Sequence, residues 1–432
     1  MTYADIILPL PLEGYFTYCV PDTLPPRLQP GCRVRVPLGK TKTYTGLVAA
    51  LHDQVPAGLK TGKEGVKSIV EMMDPGPVLL PQQLRLWQWI ADYYLSPIGD
   101  VYKAALPSGL KAEDDYRPKT ETYVVLADDF RSAQALRAAQ AMLQRAPAQQ
   151  KVLRAYLELA SVSEDNPVPQ REITREELMN EAHCTTTVLR QFLDRRILRQ
   201  YEKEVGRIPL GGMPHPEHIK PLSEAQADAY DQILVQQMSK DITLLHGVTS
   251  SGKTEIYIHL IQRALDEGRQ VLYLLPEIAL TVQMMQRLRR VFGDRLGIYH
   301  SRYSDAERVE IWKRQLSDHP YDVILGARSA LFLPFQRLGL VIVDEEHEQS
   351  FKQMDPAPRY HARSAAIILA KLCGAKVLLG TATPSSESYW NAQTGKYGYV
   401  RLDKRYQDMA LPAVEVVDVK DLRRRKMMTG HF

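Results

Sequence analysis

The sequence predicts a multidomain protein with a β-rich amino-terminal domain, a winged-helix domain and an α/β lobe that contains a phosphate-binding loop. Short strand-like runs separated by Pro, Gly and Asp fill residues 1–110, and three short helical patterns followed by a strand fill residues 111–205. From residue 222 onwards, apolar runs alternate with amphipathic helices, which indicates a parallel sheet with crossover helices. The 432 residues are enough for several hydrophobic cores.

Charge and cysteine content limit the class of protein. The formal net charge of +4 permits nucleic-acid binding without requiring it. The four cysteines form no CxxC pair, so neither a zinc site nor a disulfide framework is indicated within this sequence. Neither a signal peptide nor an apolar run of about twenty residues is present, so we expect a cytoplasmic protein that has no membrane partner.

The first domain has four strand-like runs, at residues 6–12, 15–20, 33–37 and 45–50, and their spacing suggests a small barrel. A helical pattern follows at residues 81–94, with Leu84, Trp87, Ile90 and Ala91 on one face. Phe16 and Tyr18 alternate along a strand, which is more typical of core than of ligand-stacking side chains.

The second domain has helical patterns at residues 148–159, 173–182 and 185–195 and a strand pattern at 197–205. This order is the outline of a winged helix-turn-helix. Domains with this outline bind DNA in some proteins and only protein in others, so both functions remain open. Residues 206–221 are rich in Gly, Pro and His and are interpreted as a linker.

The α/β lobe begins with a phosphate-binding loop after the apolar run at residues 242–245. Glycines allow backbone N–H groups to face the phosphates, the lysine places a positive charge on the β- and γ-phosphates, and the threonine hydroxyl reaches Mg²⁺. We therefore expect ATP and Mg²⁺ to bind here, at Gly247, Val248, Thr249, Ser250, Ser251, Gly252, Lys253 and Thr254.

A second apolar run, at residues 338–343, leads directly into Asp344, Glu345, Glu346 and His347. An acidic residue at the carboxyl end of a strand beside a phosphate-binding loop is where Mg²⁺ is held. We expect Asp344 to hold the metal through water and Glu345, together with Lys253, to be catalytic. A solvated acidic strand end is the competing interpretation, and the neighbouring phosphate-binding loop disfavours it.

The motifs GVTSSGKT, DEEH and GTATP, in this order and spacing, resemble the first motor lobe of superfamily 2 helicases. The further segments LPEIALT, GARSALF, LPLPLEGYFTY, GCRVRVPLGK and ADYYLSPIGDV make essentially the whole chain similar to the primosomal replication-restart DNA helicases. The resemblance implies a RecA-like lobe over residues 222–432 and a first domain that captures the 3′ end of DNA.

The same resemblance implies a function and a set of partners. Helicases of this family use ATP to unwind DNA from 3′ to 5′ at stalled or abandoned replication forks and initiate replication restart by primosome assembly. The implied partners are forked DNA with a 3′ end, single-stranded DNA, single-stranded-DNA-binding protein and primosome proteins.

Several site residues are implied by position within the family motifs. Gln226 corresponds to a glutamine that recognises adenine, although a glutamine on a helix surface is the alternative. Thr381 and Thr383 belong to the motif that couples hydrolysis to DNA movement. DNA contacts are implied for Phe16, Thr17, Gly39 and Lys67 around the 3′ end, and for Arg328 and Lys352 in the motor lobe. For Lys67, an ordinary surface lysine is an equally good interpretation.

Three positions depart from the family pattern. Thr17 replaces an Asp of the 3′-end pocket, which changes a charged acceptor into a neutral hydroxyl. Ser250 replaces a loop glycine, which is tolerated only if its φ is negative or the strain is absorbed. The loop after DEEH contains Phe351 and Tyr360 but no tryptophan, so we expect weaker base stacking there.

The sequence contains no second motor lobe, no arginine finger and no zinc-binding cysteines, which the family has. We therefore expect part of a longer helicase that binds DNA and nucleotide but hydrolyses ATP poorly, with zinc only in the missing part. A non-motor adaptor that binds forks is the alternative, and a duplex translocase of the restriction-enzyme type is less consistent with the amino-terminal segments.

Overall fold

The computed structural model describes residues 2–24, 27–54, 66–111, 119–163, 165–208, 212–277, 279, 281–404 and 419–424. The chain forms two compact units, one from residues 1–114 and 210–432 and the other from residues 115–209. The expected first domain boundary, between residues 110 and 111, falls inside a described helix just before the gap at 112–118, and part of the expected linker lies in the gap at 209–211. Within the described part of the chain, no helix has the length and hydropathy needed to cross a bilayer.

The amino-terminal part of the first unit is an antiparallel sheet with the order β2-β1-β4-β3-β5. Its strands are β1 (Thr2–Ile7), β2 (Phe16–Val20), β3 (Arg33–Leu38), β4 (Lys42–His52) and β5 (Glu71–Met72). The first strand lies earlier than the sequence predicted, because Ala4 and Ile6 alternate into the core ahead of the turn. Tyr18 is only 3% exposed, which confirms its assignment to the core.

Residues 67–72, which include β5, pair with both β2 and β3, the outer strands of the other four. Cys19 N donates to the Lys67 carbonyl at 2.8 Å, and Ile69 N donates to the Cys19 carbonyl at 3.0 Å. Val70 N donates to the Arg35 carbonyl at 2.9 Å, so the same segment also reaches β3. Since both of these strands are paired with the same segment, the strands form a closed layer around one core.

Helices α1 (Pro81–Tyr93), α2 (Ile98–Ala105) and α3 (Ser108–Lys111) follow the sheet. The buried face of α1 includes Leu86, Trp87, Ile90 and Ala91, close to the predicted face. Hydrogen bonds join this region to the motor lobe, which lies in the same compact unit. Gln83 Nε2 donates to the Phe332 carbonyl at 2.5 Å, and Trp312 Nε1 donates to the Val78 carbonyl at 2.8 Å.

The second unit has the winged-helix arrangement that the sequence predicted. It contains β6 (Thr120–Leu126), α4 (Ala133–Met142), α5 (Pro147–Leu159), β7 (Ile173–Thr174), α6 (Arg175–Glu181), α7 (Thr186–Asp194) and β8 (Leu198–Glu204). The strands pair in the order β7-β6-β8, and apolar residues of α4 to α7 pack on them. The sequence did not identify β6 and α4.

The motor lobe is a seven-stranded parallel sheet with connecting helices, as predicted. Its elements are α8 (Glu224–Ser239), β9 (Ile242–Gly247), α9 (Lys253–Asp266), β10 (Gln270–Leu274), α10 (Val282–Phe292), β11 (Leu296–Tyr299), α11 (Asp305–Leu316), β12 (Val323–Gly326), β13 (Leu338–Asp344), α12 (Ala362–Cys373), β14 (Lys376–Thr381), α13 (Ser386–Gln393) and β15 (Gly398–Leu402). A short helix, α14 (Val419–Arg424), is described beyond the sheet.

The strand order is β11-β12-β10-β13-β14-β9-β15. Strands β13 and β9 therefore both flank β14, and the carboxyl ends of these three strands meet at one edge. The phosphate-binding loop follows β9, the DEEH residues follow β13, and the GTATP residues follow β14. The order of the strands thus brings together three motifs that are far apart in the sequence.

Candidate nucleotide and DNA site

The phosphate-binding loop turns from β9 into α9 at Gly252, the residue immediately before the helix. Gly252 has a φ of +80°, a left-handed conformation that favours glycine. A Cβ atom at this position would also lie 2.1 Å from Nε2 of Gln226. Both the backbone conformation and the space around it therefore require glycine here.

Ser250 occupies the same loop with a φ of +60°. A serine at this position is tolerated only with a negative φ or where the loop absorbs the strain, and the structure shows the strained alternative. A non-glycine residue in this region costs roughly 1–2 kcal/mol relative to its preferred conformations. The side chain is exposed, so it adds no steric conflict to the backbone strain.

Lys253 lies where a lysine can reach the phosphates. Its Nζ atom donates to the Gly247 carbonyl at 2.9 Å, and the residue is only 8% exposed. The loop borders a cavity of about 760 Å³ that Asp344 and Glu345 also line. The two motifs predicted from sequence therefore meet around one cavity, and their donors fit a nucleotide phosphate chain together with Mg²⁺.

Gln226 is buried, at 1% exposed, so the surface interpretation of this residue is wrong. Its Oε1 accepts from Ser223 N at 2.9 Å, which completes the amino-terminal cap of α8. Its Nε2 donates to the Ser251 carbonyl at 3.1 Å. The amide thus links α8 to the phosphate-binding loop, and recognition of adenine by Gln226 stays a prediction that requires these bonds to rearrange.

Asp344 is buried beside the cavity and receives two tyrosine hydroxyls. Tyr257 Oη donates to Oδ1 at 2.9 Å, and Tyr273 Oη lies 3.3 Å from Oδ2. Burial, followed by the charge of Glu345, raises the pKa of Asp344 to about 6, and the Tyr257 hydrogen bond partly opposes this shift. Burial also raises the pKa of both tyrosines, which keeps their hydroxyls protonated as donors.

Glu345 is more open than Asp344 and has a strained backbone. Its side chain is 34% exposed, and its φ is +48°. Glu345 N donates to Asp344 Oδ1 at 3.1 Å, so the two acidic residues are held in one turn. Because strain of this kind persists only where surrounding contacts fix it, its presence here is typical of a functional site. The position suits a base that acts on water in the cavity.

His347 joins the DEEH residues to the loop after β14. Its Nδ1 atom lies 2.7 Å from Thr381 Oγ1, and its Nε2 atom lies 3.3 Å from Thr383 Oγ1. Thr383 N also donates to Thr381 Oγ1 at 3.0 Å. The two threonines predicted to act in coupling are thus in direct contact with the acidic motif through His347, for which the sequence predicted no role.

Glu346 is the most deeply buried acidic residue of this turn, with no exposed surface. Arg363 Nη1 pairs with its Oε2 at 2.5 Å, and Ser385 N donates to its Oε1 at 2.7 Å. Ser388 Oγ donates to Oε2 at 2.9 Å. The carboxylate is therefore fully satisfied, and it ties α12 and the start of α13 to the end of β13.

The loop after DEEH uses its aromatic residues in the core. Phe351 and Tyr360 are each 1% exposed, so neither is available to stack on a base in this conformation. Arg328 Nη1 lies 3.4 Å from the carbonyls of both Ser350 and Lys352. Lys352 bonds to the Arg359 carbonyl, and its Nζ lies 5.0 Å from the ring centre of Tyr94. The DNA contacts of Arg328 and Lys352 remain predictions.

Three of the four residues predicted around a 3′ end take part in hydrogen bonds within the amino-terminal domain. Lys67 Nζ donates to the Gly39 carbonyl, so these two residues are adjacent. Thr17 Oγ1 donates to Asp5 Oδ1 at 2.7 Å, across the β1–β2 pair. Phe16 is half-buried on the same strand. The hydroxyl that replaces the expected carboxylate is thus already directed at a different carboxylate.

Comparison with known proteins covers most of the chain. Family models match in the order of the three predicted domains: a PriA 3′ DNA-binding domain over residues 5–107, a winged-helix domain of PriA helicases from Bacteroidota over 121–205, and a DEAD/DEAH box helicase domain over 223–390. Replication restart protein PriA of Haemophilus influenzae is 33% identical over 98% of this chain and 54% of its own length. The chain belongs to the PriA family.

Other PriA proteins give the same result. The Bacillus subtilis protein is 31% identical over 98% of this chain and 58% of its own, and the Rickettsia felis protein is 45% identical over 46% of this chain and 30% of its own. The chain thus spans about half the length of the PriA proteins that it matches from end to end. A solved structure of the helicase Lhr from Mycobacterium smegmatis, bound to single-stranded DNA and AMP-PNP, matches 46% of this chain and 27% of its own, with 23% identity and a TM-score of 0.31.

One side of the cavity in this PriA-family chain was not predicted from sequence. His218 and Lys220 line it, together with Arg287 and Arg290 of α10. His218 belongs to the segment interpreted as a linker, yet His215 N donates to the Val291 carbonyl at 2.8 Å, so the segment packs on α10. The sequence feature that could have indicated this side of the cavity is the pair His218 and Lys220 just before α8. The Gly and Pro residues of the same segment instead favoured its interpretation as a linker.

Proposed function

We propose that this protein acts as an ATP-dependent DNA helicase of replication restart, which moves 3′ to 5′ and acts at stalled or abandoned forks. The observation that carries the proposal is the meeting of Lys253, Asp344 and Glu345 around one cavity. A scaffold that only binds DNA needs neither this lysine nor this acidic pair. Membership of the PriA family supports the choice of replication restart over other helicase functions.

The residues of the cavity have separate roles in this proposal. Lys253 exchanges its bond to the Gly247 carbonyl for the β- and γ-phosphates of ATP, and the loop N–H groups hold the same phosphates. Thr254 and Asp344 would hold Mg²⁺, Asp344 through water. The metal, when bound, neutralises charge on the phosphates. Glu345 orients the attacking water and accepts its proton.

Coupling to DNA runs through the contacts of the DEEH turn. A change in the position of Glu345 on hydrolysis moves His347, and His347 contacts both Thr381 and Thr383. Glu346 pairs with Arg363. Arg363 is in the first turn of α12, directly after the loop that includes Lys352. Lys352 and Arg328 contact phosphates of single-stranded DNA in the proposal, which couples the DNA strand to the hydrolysis site.

The amino-terminal domain supplies recognition of the fork. Phe16 stacks on the terminal base, and Lys67 beside Gly39 contacts its phosphate. The proposed partners are a 3′ end at a fork, single-stranded-DNA-binding protein and primosome proteins, in the cytoplasm. For residues 1–432 alone we expect slow ATP hydrolysis, because related enzymes gain roughly 10³-fold or more from an arginine that a second lobe or partner provides.

The test is ATP hydrolysis by the full-length protein, with and without forked DNA. The proposal expects hydrolysis that forked DNA stimulates and that both Lys253→Ala and Glu345→Gln abolish. It also expects Glu345→Gln to retain ATP binding, because this change removes a base and not a ligand. DNA binding without any ATP hydrolysis in the wild type would instead favour the non-motor adaptor.

A further inference from the structure

Two tyrosine hydroxyls from different elements converge on Asp344. Tyr257 is on α9, one turn after the phosphate-binding loop, and Tyr273 is on β10, which pairs with β13. Both tyrosines have no exposed surface, and their rings meet edge to face with centres 5.6 Å apart. The ring packing alone accounts for two aromatic residues in this core. It does not account for two hydroxyl groups, since a buried hydroxyl without a partner is unfavourable.

The space for this arrangement comes from Gly380. A Cβ atom at Gly380 would lie 1.8 Å from the Tyr257 hydroxyl and 3.2 Å from Asp344 Oδ1. The φ of Gly380 is not in the left-handed region, so the glycine is needed for space and not for backbone conformation. The glycine of GTATP therefore keeps open the position that the Tyr257 hydroxyl occupies.

The two oxygens of Asp344 have different hydrogen-bond partners. Oδ1 accepts from Tyr257 Oη at 2.9 Å and from Glu345 N at 3.1 Å, so both of its lone pairs are used. Oδ2 receives only the longer contact of 3.3 Å from Tyr273 among the hydrogen bonds described for this residue. This oxygen therefore retains acceptor capacity, and Asp344 lines the same cavity as Lys253 and Thr254.

We propose that Tyr257 and Tyr273 are positioning residues for the metal: they fix the Asp344 carboxylate so that Oδ2 accepts from water on Mg²⁺. The inference rests on the proposed function, because it needs a magnesium–nucleotide complex in the cavity. Tyr257 anchors Oδ1, whose acceptor capacity is already used, and Tyr273 limits rotation of Oδ2. Loss of either hydroxyl lets the carboxylate turn and weakens its hold on the metal-bound water.

The test is equilibrium binding of a fluorescent, non-hydrolysable ATP analogue to residues 1–432, titrated with Mg²⁺ and repeated in EDTA. Tyr257→Phe is expected to raise the Mg²⁺ concentration at half-maximal binding roughly tenfold, as one hydrogen bond to a charged group is lost. Tyr273→Phe is expected to have a smaller effect in the same direction. Binding in EDTA should be equal in all variants, because the lysine and the loop are unchanged.

A matched control is Tyr299→Phe, which removes a buried hydroxyl from β11 at the far edge of the sheet. It should leave the magnesium dependence as in the wild type. Thermal unfolding of each variant identifies loss of folding, and Tyr273→Phe provides the test if Tyr257→Phe does not fold. Wild-type magnesium dependence in both tyrosine variants would overturn this inference and leave the proposed function unaffected. Absence of ATP binding in the wild type would overturn the proposed function and, with it, the inference.

Discussion

Asp344 shows how one residue can be costly for folding and still be required for the site. Burial makes its ionised form unfavourable and raises its pKa, and the Tyr257 hydroxyl offsets only part of that cost. Its position at the end of β13 was predictable, because an acidic residue follows an apolar strand beside a phosphate-binding loop. The tyrosine contacts were not predictable, since they depend on how α9 packs against β10. In a sequence, side chains of this kind look like ordinary core residues.

Asp344→Asn should stabilise the magnesium-free protein at neutral and alkaline pH. The folded-state pKa of about 6 lies above the ordinary value of 3.8, so the carboxyl contributes stability at low pH that is lost as the pH rises through 6. The shift corresponds to about 3 kcal/mol at high pH. Thermal unfolding at pH 4 and pH 8 should therefore show a benefit of the amide that appears only at pH 8.

The matched control for this prediction is Asp241→Asn, because the Asp241 side chain is 82% exposed. This variant should unfold with nearly the wild-type midpoint at both pH values. If Asp344→Asn has the same midpoint as the wild type at pH 8, that result would contradict the proposed environment of Asp344.

Thr17 is the second position where the structure changes an expectation. From sequence alone, Thr17→Asp is expected to sharpen the preference for a 3′ hydroxyl over a 3′ phosphate. The structure places Asp5 Oδ1 at 2.7 Å from the Thr17 hydroxyl, so this change would set two carboxylates against each other. His52, whose Nε2 lies 3.3 Å from Asp5, reduces the repulsion only when protonated.

We therefore expect Thr17→Asp to lower the midpoint of thermal unfolding more at pH 8 than at pH 5. A pair of close carboxylates raises the pKa of one of them, and the associated stability is lost as the pH rises through that value. Thr17→Asn, which introduces a side chain of nearly the same shape as Asp without the charge, should show little pH dependence. Equal stability of these two variants at pH 8 would contradict the contact with Asp5.

At the scale of elements, the important feature is the turn after β13 and the loop that leads to α12. Glu346 binds Arg363, Ser385 and Ser388, while His347 binds Thr381 and Thr383. The sequence predicted that these loops meet, because parallel strands β13 and β14 end at the same edge of the sheet. It did not predict which side chain of DEEH faces which loop, because a turn with a positive φ at Glu345 breaks the strand alternation.

Arg363→Met should destabilise the motor lobe, because it leaves the Glu346 carboxylate buried without its cation. Removal of one partner of a buried ion pair costs roughly 3–5 kcal/mol. Arg359→Met, at an arginine whose side chain is 68% exposed, is the control and should cost little. Urea unfolding of the two variants, monitored by tryptophan fluorescence, provides the comparison. Similar midpoints would show that the Glu346 network does not stabilise the lobe.

At the scale of the whole molecule, the amino-terminal sheet and the motor lobe share one compact unit. From the sequence alone, residues 1–110 are expected to fold as a separate β-rich unit, and the contacts of Gln83 and Trp312 weigh against a cut at that boundary. The sequence predicted the fold of each part, because strand and helix periodicities are local. It could not predict how α1 packs on the lobe, because an amphipathic helix has the same periodicity of apolar residues whichever surface covers its apolar face.

The central claim is that the cavity between the phosphate-binding loop and the DEEH turn binds ATP in a way that depends on Lys253 and Mg²⁺. The most direct measurement is a titration of residues 1–432 with a fluorescent ATP analogue, in the wild type and in Lys253→Ala, with and without Mg²⁺. The account predicts saturable, magnesium-enhanced binding in the wild type and its loss in the variant. Binding of equal affinity in the wild type and in Lys253→Ala would contradict it.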